Sequence, residues 1–289
     1  MREDWEGVVF VMILTSHEVE EIRYLAINGH PEELERITIS DVDLGAAVEL
    51  ACCRFIWRQS VPIVVRVFEN WANSVPILRA AFRALVEGVV PSRQLKFEPQ
   101  EIEFYPLVGT CWANNDHHLF ASRFCKSVKG VGFGRTSQAL AGAFHEMADN
   151  VAQHSASSGS MPARGLLGYR VAQQKMSFAV GDVGRGVLAS LKENSQWQQI
   201  SDSGAALEAI LHQGASRRIN AGPGEGFKQL FKSLGSLQGF LSFRSGDGFI
   251  SLSGSRDAYI ERRGSAIPFP GFQLSVTCSV EKQPPKNAT

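Results

Sequence analysis

Between His145 and Ser155 the chain reads HEMADNVAQHS, and three of its side chains are of types that act together in chemistry. Glu146, Asn150 and His154 recur every four residues, so on a helix they stand one turn apart along a single face. A carboxylate can orient or deprotonate a water, and a carboxamide oxygen is a hard ligand suited to a partly hydrated Mg²⁺. The helix that must hold them is legible in its apolar residues: Leu140, Phe144, Met147 and Val151 recur at four, three and four, which predicts a helix over 137–154 with one apolar stripe. The polar trio borders that stripe, as the wall of a pocket would. Taken alone, the segment reads equally as an amphipathic helix with a polar rim.

Two later stretches add to it. MSFAVGDVGRG, from Met176 to Gly186, alternates Met176, Phe178 and Val180 as a half-buried strand does, then ends in Asp182, Gly184 and Gly186. An Asp at a strand end can accept a hydrogen bond from an exocyclic amine, and neighbouring glycines let a flat ring approach the backbone. GPGEGFKQLFKSL places Gly222, Gly224 and Gly226 ahead of a helix whose first N–H groups would point at an anion.

In this order and spacing the three stretches resemble the N box, G1 box and G2 box of the GHKL ATPases. That superfamily includes DNA gyrase B subunits, heat-shock chaperones, mismatch-repair ATPases, histidine kinases and anti-sigma serine kinases. The resemblance covers roughly the C-terminal two-thirds of the chain and implies a site for ATP and Mg²⁺. Carried over residue by residue, it makes Glu146 the general base, Asn150 the Mg²⁺ ligand and Asp182 the acceptor for the adenine amine. Gly184 and Gly186 would shape the adenine pocket, Gly222, Gly224 and Gly226 would close over the phosphates, and His154 would border the same cavity. In these ATPases the segment between the G1 and G2 boxes, here about 187–221, is a mobile lid. Its Arg217 or Arg218, and Lys228 in the helix that follows, are further candidates for phosphate oxygens, since guanidinium pairs well with phosphate. The closing strand of the family often begins Gly-Thr; here it is Gly271 and Phe272, which implies a modified adenine site.

The 289 residues suit two medium domains, and 44% hydrophobic residues are enough for real cores. A net charge of zero argues against a general binder of nucleic acid or of membrane surfaces. Five cysteines, with Cys52 and Cys53 adjacent, form neither a disulfide framework nor a metal spacing and fit a reducing cytoplasm. The apolar run from Val8 to Leu14 is too short to span a bilayer and reads as a buried strand. The first hundred residues hold 10 basic and 15 acidic side chains and only four of the 27 glycines, so composition divides the chain. The expectation is an α/β domain over 1–95 and an ATP-binding domain over 96–289.

In the first unit Thr15 and Glu18 have capping-box spacing ahead of a helix. A strand at 36–40, a helix at 44–57, a strand at 61–68 and a helix at 75–85 complete a β-α-β-α order, loosely similar to STAS domains. His17, in SHEVEEIR, superficially resembles a histidine-kinase phosphoacceptor but reads better as an exposed residue near a helix start. NNDHH, at 114–118, reads as a polar loop; adjacent histidines rarely share one ion and no Cys or His at ligand spacing joins them. KGVGFGRTS reads as a flexible lead into the helix at 137. Hairpins are expected at 166–181, turning at Gln173 and Gln174, and at 238–253, turning at 245–248. A short helix at 204–213 and a closing strand at 272–280 finish the second unit. It should be an α+β sandwich with a mostly antiparallel sheet covered by helices on one face.

Together these readings point to an ATP–Mg²⁺ regulatory protein that hydrolyses ATP or passes its γ-phosphate to a protein acceptor. The alternatives are a nucleotide-gated interaction module with little turnover, or a phosphorelay component acting on a separate receiver. The resemblance also implies a protein partner and pairing of two copies.

Overall fold

Residues 10–88, 99–108, 115–134, 137–154, 164–213, 215, 238–255 and 258–279 are described by a computed structural model of the chain. Strand β1 (Phe10–Leu14) runs into α1 (Ser16–Ile27) through the capping box read from Thr15 and Glu18, with the Thr15 N–H donating to Glu18 Oε2 at 2.8 Å. His17 is exposed in the first turn of that helix. A 3-10 turn (Pro31–Arg36) leads to β2 (Ile37–Val42), which lies parallel to β1. Asp43 then caps α2 (Leu44–Trp57), its Oδ1 accepting from the Ala46 N–H at 2.6 Å.

The expected strand at 61–68 is instead the start of α3 (Pro62–Ser74). Its β-branched run suggests a strand, but Pro62 sits at the helix start, where a fixed φ and a missing N–H cost nothing. Val64, Val67, Phe68 and Trp71 fall on one helical face and are all buried. There Phe68 stacks between Trp71 and Phe82, ring centroids 5.2 and 6.0 Å away. α4 (Pro76–Phe82) follows and continues as a π-helical stretch (Arg83–Glu87). From β2 on the order is therefore β-α-α-α, not the β-α-β-α order expected.

The second sheet begins with β3 (Ile102–Val108). NNDHH is not a loop: from Asn115 on it is the start of α5 (Asn115–Gly130), and Asn114 lies outside the described residues. α6 (Ser137–His154) has the span its periodicity predicts. β4 (Arg164–Ala172) and β5 (Lys175–Asp182) form the expected hairpin, with Gln173 and Gln174 at φ 50° and 65°, the left-handed pair that matches strand twist. After α7 (Gly186–Leu191) and α8 (Ser203–Gln213) come β6 (Gln238–Ser255) and β7 (Ala258–Ser279). The expected turn at 245–248 is a correction: β6 runs straight through it, and the register shifts there mark bulges in one long ribbon. All neighbours in the order β3-β4-β5-β7-β6 are antiparallel.

Helices cover both faces of this sheet, not one. Phe178, Val180, Leu241, Phe243, Leu274 and Val276 share one core with Phe120 and Phe124 of α5 and with the α6 stripe Leu140, Phe144, Met147 and Val151. Each of those α6 side chains is at most 1% exposed and contributes roughly 1.5–3 kcal/mol through burial. On the opposite face Phe104, Leu166 and Ala179 share a core with α2, α3 and α4. Small residues allow α2 to lie this close. A Cβ at Gly181 would stand 2.8 Å from Val48 Cγ1, and one at Gly45 would stand 2.9 Å from Ser275 Cβ. Among the described residues no helix is long and apolar enough to cross a membrane.

Candidate functional site

Alternation along β5 puts Asp182 on the same face as Phe178 and Val180, the face that α6 covers. Its cross-strand partner is Gly165. A Cβ at Gly165 would lie 2.8 Å from Val151 Cγ1 and 3.3 Å from Asp182 Cβ. The last turns of α6 and the end of β5 therefore meet over a single glycine, with Asn150 the residue before Val151. Asp182 is 2% exposed. Its Oδ1 accepts from the Gly184 N–H at 2.6 Å, and the Phe272 N–H also donates to the carboxylate. Burial outweighs both bonds and pushes its pKa up to about 7.

The loop after Asp182 is held by backbone that crosses from β6 and β7. Gly186 has φ 80° and Gly271 φ 96°, conformations that suit glycine. A Cβ at Gly271 would overlap the Asp182 carbonyl and lie 2.7 Å from its Oδ1, so the closing strand runs directly against the carboxylate. Phe272, where the family pattern has Thr, turns its ring edge-on to Phe243 at 5.9 Å and supplies its N–H to Asp182. A hydroxyl does stand at this corner, from a residue that sequence reasoning passed over. Ser245 Oγ accepts from the Val187 N–H at 2.9 Å and donates to the Gly271 carbonyl at 2.6 Å. Ser245 falls in the expected turn at 245–248, where no periodicity marks a residue.

Glu146 is half-buried in α6. Asn150 and His154 belong to the same helix, and their side chains lie outside those described. Arg217, Arg218, Gly222, Gly224, Gly226 and Lys228 lie outside the described residues. Of the expected lid, α7 and α8 pack into the core. Asp202 caps α8, its Oδ1 accepting from the Ala205 N–H at 2.8 Å, and Ala206, Leu207, Ala209 and Leu211 are buried with β6 residues.

The structure also brings His145 to the two histidines of α5. Its ring centroid lies 4.9 Å from that of His117 and 6.1 Å from that of His118. His117 is 1% exposed, and burial, reinforced by the two neighbouring imidazoles, lowers its pKa to about 4. Among the described residues no three His, Cys, Asp or Glu side chains are placed to hold a metal ion. Nor do the buried cysteines suggest nucleophiles: burial raises the thiol pKa of Cys52 and Cys53, the latter to about 12.

No family model matches the chain, and no curated protein matches it in sequence.

Proposed function

We propose that the chain is a cytoplasmic ATP- and Mg²⁺-binding regulatory protein of the GHKL type, which hydrolyses ATP or transfers its γ-phosphate to a protein. The observation that carries this reading is the meeting of α6 and Asp182 across Gly165. It brings the helix of Glu146, Asn150 and His154 to the strand end whose carboxylate would accept the adenine amine. The site chemistry agrees: a desolvated carboxylate beside backbone without side chains suits a flat heterocycle that offers an N–H donor.

In this reading Asp182 fixes the base, Gly184 and Gly186 let it approach the backbone, and Glu146 takes a proton from water or from a protein hydroxyl. Asn150 would hold Mg²⁺, which when bound neutralises charge on the phosphates. Gly222, Gly224 and Gly226, with Lys228, Arg217 and His154, would line the phosphate end. Calorimetric titration with ATP and Mg²⁺, then a phosphate-release assay, tests it. Glu146→Ala should keep nucleotide affinity and lose phosphate release; wild-type protein that binds no ATP sinks the proposal. Binding without turnover would favour the nucleotide-gated module, for which the ion pairs of Arg244 with Glu20 and Glu49, joining the sheet to the N-terminal unit, provide a physical basis. Transfer of labelled phosphate to a separate receiver would favour the phosphorelay role.

A further inference from the structure

Consecutive residues on a strand point to opposite faces, and at Arg244 and Ser245 of β6 both directions end in specific contacts. On the α2 face Arg244 is 5% exposed, and its Nη1 donates to Glu49 Oε1 at 2.9 Å. The same oxygen accepts from Arg23 Nη1 of α1 at 3.0 Å. Glu20 of α1 faces Arg244 Nη2 at 3.7 Å and accepts from the Ile267 N–H at 3.1 Å, while Arg23 Nη2 donates to the Ile267 carbonyl. Gln273, also on this face, donates from Nε2 to the Gly45 carbonyl at 2.6 Å. Two helices of the N-terminal unit thus grip β6 and the bulged part of β7.

On the α6 face the next residue, Ser245, is 1% exposed and ties the Val187 N–H to the Gly271 carbonyl. Gly271 is followed by Phe272, whose N–H holds Asp182. The backbone packs closely at this point, since a Cβ at Gly186 would meet Ser245 Oγ at 2.9 Å. The hydroxyl thus satisfies a donor of the loop after Asp182 and an acceptor of β7 at once.

We propose that Ser245 is a positioning residue for the loop carrying Asp182, Gly184 and Gly186, and that Arg244 places this loop under the control of the N-terminal unit. A shift of α1 or α2 moves Arg244 and the 267 bulge, and β6 transmits the shift one residue along to the hydroxyl. The consequence for nucleotide rests on the function proposed above; the mechanical link does not. The link is short, covalent at its centre, and needs no path through exposed loops.

Hydrogen exchange of ligand-free full-length protein, followed by titration with a fluorescent N-methylanthraniloyl ATP, tests both parts. Ser245→Ala leaves a buried N–H and a buried carbonyl without their partner, so exchange at Val187 and Phe272 should quicken about ten-fold and nucleotide affinity should drop about ten-fold. Ser245→Thr, which keeps the hydroxyl, should restore both. Arg244→Met leaves Glu49 its Arg23 partner and should quicken exchange at the same two amides while the β4–β5 hairpin keeps its wild-type rates. If neither variant changes exchange at Val187 and Phe272, the proposal is overturned. If exchange responds as described and the wild-type protein binds no nucleotide, the positioning role stands and the ATP reading fails.

Discussion

Replacing Asp182 by Asn removes a charge without changing shape and separates what the carboxyl does to stability from what it would do for a ligand. Its pKa rises from an ordinary 3.8 to about 7 because burial strips water from the charged form. A raised carboxyl pKa means that the folded state binds the proton more tightly than the unfolded chain. The stability linked to this group is fully present below pH 3.8 and is lost as pH climbs towards 7. At about 1.4 kcal/mol per unit, a shift of roughly three units amounts to about 4 kcal/mol. The Asn variant has no such loss. Its unfolding free energy minus that of wild type should therefore rise by about 4 kcal/mol between pH 4 and pH 8. Using the difference cancels the opposite slope contributed by His117. Urea unfolding of both proteins at a series of pH values measures it. At pH 8 the variant should be more stable than wild type by that gain less about 1 kcal/mol for a weakened hydrogen bond, and its ATP affinity should fall. A stabilised protein that no longer binds marks a carboxylate retained for function at a cost in stability. A difference that stays flat with pH would refute the reasoning, because Asp182 would then be solvated in the folded protein.

His117 slopes the other way. Its pKa falls from 6.5 to about 4, so the stability it contributes is present above pH 6.5 and drains away as pH drops towards 4. The urea midpoint of His117→Asn minus that of wild type should rise as pH drops from 7 to 4.5, and a difference that stays flat with pH would contradict this. A fragment spanning 96–289 should expose the apolar side chains that now share a core with the N-terminal helices, among them Phe104, Leu166 and Phe269, and leave Arg244 without Glu49. It should aggregate or bind a hydrophobic dye, and a soluble fragment with a cooperative urea transition would show that the sheet does not need its second helical layer.

How much of this was legible beforehand depended on how far along the chain each decision reached. α6 was readable to its ends, because its stripe and its length are properties of eighteen neighbouring residues. The turn at Gln173 and Gln174 and the caps at Thr15, Asp43 and Asp202 are likewise settled within a few residues. Asp182 could be placed at a strand end, and alternation with Phe178 and Val180 even gives its face. What alternation could not say is that α6 lies on that face, since Gly165 and Val151 meet only after the sheet has formed.

The β-branched run after Val61 fits a strand or a helix equally well, and burial of Val64, Val67, Phe68 and Trp71 on one side decides for helix. Gly246 and Gly248 suggest a turn until the facing strand shows that they sit in bulges of a continuous ribbon. His145 gives no sign in the sequence of its neighbours His117 and His118, and Glu49 meets Arg244 across 195 residues. Sequence alone, then, determined the elements whose signals are local and the residue types on which the proposed nucleotide site rests. The tertiary structure decided which surfaces face each other, because close approach and a shared buried charge depend on partners that no local periodicity encodes.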